Sequence, residues 1–133
     1  MGIALSTSLA TGFDDAVART RKALADQGFG VLTEIDVAAT VKAKLDVDME
    51  DYLILGACNP VLAHRAIGLE REIGLLLPCN VVVRADPDAP GIVIIEGMNP
   101  AVLVQVTGNK ELVAVADEVT AKLGAAIGSL SGG

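Results

Sequence analysis

Two cysteines, one histidine and a run of acids are the side chains of this 133-residue chain whose types could do chemistry. Cys58 is followed by Asn59 and Pro60, a pair suited to open a helix. Asparagine is a favoured N-cap, and proline at the first helical position gives up no hydrogen bond, because the N–H it lacks has no partner there anyway. A thiol just outside a helix N-terminus meets unpaired N–H groups and the positive end of the helix dipole, which favour anions and lower a thiol's pKa. Cys58 is therefore the first candidate for reactivity. Packing competes with it, since free cysteine behaves as a small hydrophobe and this one follows the apolar run Tyr52 to Ala57. Cys79 lies between Pro78 and Asn80 and enters a valine-rich segment, so packing is the stronger reading for it.

The cysteines are 79 − 58 = 21 positions apart, unlike the Cys-x-x-Cys spacing of thioredoxin-type or zinc sites. A helix from Pro60 to about Ile73 carries the chain away at about 1.5 Å per residue, and an extended segment through Pro78 returns it at about 3.3 Å per residue. An antiparallel next strand brings both sulfurs to one end of the sheet; a parallel one separates them. His64 lies two residues from both Leu62 and Ala66, opposite the apolar stripe at about 100° per residue, and is expected on the surface rather than in a Cys-His dyad. Asp46, Asp48 and Glu50 begin like a calcium loop. Asp51 then stands where glycine is needed and Ala57 where a bidentate glutamate is needed, so the segment reads as a solvated loop and no metal site is expected. Glycine-rich phosphate motifs are absent, and Gly28-Phe29-Gly30 is a helix-to-strand turn. The remaining anion site is the Asn59-Pro60 helix start, assisted by Lys42 or Lys44 if these are more than solvated charges.

The elements that must position these groups follow from periodicity. Ile3 to Leu9 reads as a strand; Gly2 and Ser6 also match a myristoylation pattern, a weaker account of the same residues, and no secretory signal is evident. Thr11 and Asp14 resemble a capping box, ahead of a helix with Phe13, Val17, Thr20 and Leu24 inward and Gly28 at its end. Phe29 to Ile35 is a strand, and Asp36 caps a short helix with Val37, Val41 and Leu45 inward. After the strand Tyr52 to Ala57, the helix from Pro60 turns Leu62, Ala66, Leu69 and Ile73 to one side and stops at Gly74. Strands over Asn80 to Val83 and Gly91 to Glu96 form a hairpin across the Pro-, Asp- and Gly-rich turn between them. Asn99-Pro100 begins a short helix or turn, with a strand over Val102 to Val106 as the alternative. The last helix sets Leu112, Ala116, Val119, Leu123 and Ile127 on one face, and residues 129–133 are expected to fray. The fold class is α+β: one compact domain over residues 1–133, with a sheet of about five strands and helices packed on it. The order is roughly β-α-β-α-β-α-β-β-(short α)-α.

Ten basic residues against seventeen acidic, a net charge of -7 and only three aromatics are the wrong balance for nucleic acid or an acidic membrane surface. Mean hydropathy is +0.54, high for a small soluble monomer, yet no apolar run approaches the ~18 residues of a membrane span. Burial of part of that apolar surface against a second copy is the economical explanation, so a homodimer is expected. Two cysteines in a chain with an adequate core imply reduced thiols and a cytoplasmic setting. No cofactor is expected, and no particular reaction is legible.

Three segments together resemble a known family. They are Gly28-Phe29 leading to Glu34-Ile35-Asp36; Leu53-Ile54-Leu55-Gly56-Ala57-Cys58-Asn59-Pro60 with Leu62-Ala63; and Ile73-Gly74-Leu75-Leu76-Leu77-Pro78-Cys79-Asn80-Val81-Val82-Val83. Over nearly the whole chain they resemble the domain-of-unknown-function family 302. The resemblance implies a small dimeric α+β domain of bacterial or archaeal type, supplies neither substrate nor catalytic residue, and directs attention to Cys58, Asn59, Pro60, Pro78, Cys79 and Asn80. The function expected is a homodimeric binding or accessory domain, with Cys58, Asn59, Pro60, Cys79 and Asn80 around a small anionic or thiol-reactive ligand. The alternative is a thiol-dependent redox or soft-metal-handling protein using Cys58 and Cys79, and a purely structural unit is a third possibility.

Overall fold

A computed structural model describes residues 2–131. Strand β1 (Ala4–Ala10) leads into helix α1 (Phe13–Asp26), then β2 (Gly30–Asp36), α2 (Val37–Leu45), β3 (Tyr52–Cys58), α3 (Pro60–Leu69), β4 (Cys79–Ala85), β5 (Ile92–Met98), α4 (Ala101–Thr107) and α5 (Val113–Ser131). The α+β class and the order of elements are those expected from the sequence. The strands form one antiparallel sheet in the order β1-β5-β4-β3-β2, so the two strands joined through α1 lie at opposite edges.

Strand alternation divides the residues between two faces. Leu9, Leu55, Val81, Val83, Val93 and Ile95 point to one of them and are buried. There they meet Ala16, Thr20 and Leu24 of α1, Leu62 and Ala66 of α3, and the stripe of α5. The Thr20 hydroxyl, buried with this core, donates to the Ala16 carbonyl at 2.8 Å and so is satisfied within its own helix. Gly97 lets α5 approach β5, since a Cβ there would stand 2.8 Å from Ile127 Cδ1 and 3.1 Å from Leu123 Cδ2.

Several local expectations change. Gly12, not Thr11, is the N-cap of α1; Thr11 falls one residue too early and its hydroxyl donates to Asp15 at 2.7 Å. Asp36 does cap α2, accepting from the Ala39 N–H at 2.9 Å, but the helix buries nothing: Val37 and Val41 are half-buried and Leu45 is exposed. Its main neighbour is β3, so its apolar stripe has no second layer to enter. Helix α3 ends at Leu69, before Gly74, because Glu70 leaves the helical region and the chain continues as a 3-10 turn over Arg71–Leu76 that still buries Ile73. The Leu69 carbonyl, unpaired at this helix end, accepts from Asn109 Nδ2 at 3.2 Å. Residues 101–107 form the helix rather than the strand alternative, with the Asn99 carboxamide accepting from the Ala101 N–H at 3.1 Å. Helix α5 continues through Ser129 and buries Leu130, where fraying was expected; residues 132 and 133 lie outside the described residues.

Candidate functional site

Antiparallel pairing of β3 with β4 sets Ala57 opposite Cys79, which brings the two cysteines to the same end of the sheet. Asn59 then ends the strand and starts α3: its side-chain oxygen accepts from the Leu62 N–H at 3.2 Å, and Pro60 follows at the first helical position. A cap of this kind contributes about 1 kcal/mol. The Asn59 side chain is therefore committed to holding the helix start, and Pro60 is exposed beyond it.

Cys58, Asn59, Pro78 and Cys79 line one cavity together with Phe29, Leu62 and other apolar side chains. Its volume is only about 30 Å³, room for one or two waters. Cys79 is buried, and burial first, then charge on Cys58, pushes its thiol up to about 11. At neutral pH that thiol stays protonated, which makes it a packing group rather than a nucleophile. Cys58 is half-buried at the cavity edge. His64 is exposed on α3, as its spacing required. Lys42 is engaged by Asp46 at 3.0 Å and Asp48 at 3.2 Å, and these two hydrogen bonds raise its pKa. Among the described residues, no three His, Cys, Asp or Glu side chains gather to hold a metal ion.

Gly56 fixes the approach of the β3 and β4 ends. A Cβ on it would strike the Thr33 hydroxyl of β2 and stand 2.8 Å from Cγ of Pro78. The Leu77–Pro78 peptide is cis, and the ring lies over the glycine, directly before Cys79.

Asn80 does not join the cysteines. One residue further along β4, it is exposed on the opposite face of the sheet, paired in register with Gly56. There it lines a broad groove of about 410 Å³ with Tyr52, Val82, Glu96 and Met98. Arg84 crosses this face to Glu96, its Nε donating at 2.7 Å, and that hydrogen bond raises the guanidinium's pKa. The face went unnoticed in the sequence, although a signal was present: Ile92-Val93-Ile94-Ile95 is apolar in both phases of the strand, a pattern of sheets covered on both sides.

An antiparallel five-stranded sheet with its main helices on one face and an apolar groove on the other defines a small α+β domain of open-faced type. The family described as Domain of unknown function DUF302 matches residues 5–130, and the chain belongs to that family. It is also similar to the crystal structure of an uncharacterized conserved DUF302 protein from Bacillus stearothermophilus, with 26% identity and a TM-score of 0.87 over 96% of this chain and 98% of that one. No curated protein matches the chain. Among the described residues, no helix is long and apolar enough to cross a membrane.

Proposed function

We propose that the chain is a cytoplasmic, homodimeric binding or accessory domain whose working surface is the uncovered face of its sheet. The observation that carries this is the contrast between the two candidate sites: about 410 Å³ of open groove on that face against about 30 Å³ beside the cysteines. The ligand surface expected at Cys58, Asn59, Pro60, Cys79 and Asn80 then divides. An anionic or thiol-reactive molecule belongs at the cysteine cavity, where Cys58 is the half-buried thiol, whereas Asn80 lines the groove.

One observation favours the alternative of thiol-dependent redox or soft-metal handling: Cys58 and Cys79 line the same cavity from neighbouring strands. Alkylation with iodoacetamide at neutral pH, followed by mass measurement, separates the two. The binding-domain reading expects label on Cys58, with Cys79 protected until the protein is unfolded. Rapid labelling of both thiols, together with loss of two hydrogens under a mild disulfide oxidant, replaces it with the redox reading.

A further inference from the structure

We infer that two copies of this chain pack uncovered sheet face against uncovered sheet face about a two-fold axis, with Arg84 and Glu96 at the centre. This rests on the homodimer proposed above and adds the surface that makes it.

The first support is the strand pattern. On the uncovered face Ile35, Ile54, Val82, Ile92, Ile94 and Met98 continue the apolar character of the buried face, but none of them is buried. Along β1 the same face carries only the small residues Ala4, Ser6, Ser8 and Ala10, which leave it flat enough for close approach. Sheets with strands apolar in both phases are covered on both sides, and a single copy of this chain covers one. Stacked sheets lie about 10 Å apart with interdigitating aliphatic side chains, which these residues are shaped to supply.

Size is the second support. Five strands of seven residues, at about 3.3 Å per residue and about 4.8 Å between strands, give a projected face of roughly 500 Å². Side-chain relief and the flanking Ile3 bring it toward the about 800 Å² per partner of a standard stable interface. A small ligand would leave most of that area in water.

Charge is the third. The chain carries -7, yet Arg84 and Glu96 are the charged residues that point from the strands to this face, and they sum to zero. They are already partly withdrawn from water, with side-chain exposures of 25% and 30%. A two-fold axis beside the pair sets Arg84 against the partner's Glu96 and Glu96 against the partner's Arg84, so the charges alternate around the axis. One other exposed apolar patch lacks this property: Leu75 and Val106 line a groove with Glu70 and Glu72, so a two-fold axis through it brings those carboxylates together.

Sedimentation equilibrium of the full chain and four variants tests the surface. The wild type is expected to be a dimer, and Val82→Glu or Arg84→Glu to raise the dimer dissociation constant by about 100-fold or more, as unpaired charge buried in an interface does. The double variant Arg84→Glu/Glu96→Arg restores both the pair within a copy and the pairs across the axis, and is expected to dimerise again, which excludes misfolding as the cause of the single-variant result. Leu75→Glu is expected to leave the wild-type constant unchanged. A dimeric wild type with Val82→Glu and Arg84→Glu still dimeric, or with Leu75→Glu dissociated, overturns this surface while leaving the homodimer standing. A monomeric wild type overturns both.

Discussion

Replacing Gly56 by alanine is expected to destabilise the protein by about 2 to 3 kcal/mol, seen as a lower denaturant midpoint at unchanged slope. The added Cβ has nowhere to go: the Thr33 hydroxyl occupies its place, and Cγ of Pro78 stands 2.8 Å away. The proline ring cannot swing aside as the end of a long side chain would, so the end of β3 must move away from the approach to β4, where Cys58, Pro78 and Cys79 meet. Gly74 provides the control, since a Cβ there meets nothing within 4 Å, and Gly74→Ala is expected to change stability by less than about 0.5 kcal/mol. Gly97→Ala falls between, because the atoms it crowds are the mobile ends of Ile127 and Leu123.

The second large effect is a loss of stability in alkali. Burial holds the Cys79 thiol at about 11, above its ordinary value of 9.0, so the folded chain keeps a proton that the unfolded chain has lost between those two values. The unfolded state then binds fewer protons, and unfolding free energy falls as pH rises. Below pH 9.0 both states hold the proton and the contribution is constant; above about 11 both have lost it and the fall ends. A shift of about two units corresponds to roughly 2 to 3 kcal/mol over that window. Denaturation at fixed protein concentration across the window, in wild type and Cys79→Ala, checks it, because the titrating groups that do not interact with Cys79 cancel in the difference; making both chains in a Cys58→Ala background removes the one that does. The variant is expected to begin about 1 kcal/mol less stable at neutral pH, from lost packing, and to overtake the wild type at the alkaline end. Parallel curves would mean that Cys79 is reached by water in the folded protein.

Much of the fold was legible where one local rule and one tertiary partner agree. In α5 the 3.6-residue stripe has a sheet to enter, and Ala116, Val119, Leu123 and Ile127 are all buried; Leu112, expected on the same helix face, is buried too but from the 3-10 turn before it. Asn59-Pro60 carries its own capping chemistry, so the start of α3 falls where these residues place it. The short helix α2 has the same kind of stripe, but periodicity reports which side is apolar and not whether anything lies against it. The site was legible only in part for a reason of geometry. Cys79 and Asn80 enter the candidate set together through the Leu-Pro-Cys-Asn segment of the family resemblance, yet successive strand residues point to opposite faces, so the pair is shared between the small cavity and the open groove. High mean hydropathy names no surface; the alternation of β4 and β5, set against the side that the helices cover, is what the proposed interface rests on.

The mass of the wild-type chain in solution tests the proposed homodimer most directly. Native mass spectrometry or sedimentation at micromolar concentration is expected to give twice the 13.6 kDa chain mass, with the same result for a Cys58→Ala/Cys79→Ala variant, because the association owes nothing to the thiols. A species of 13.6 kDa throughout that range, or a dimer that disappears with the cysteines, contradicts it.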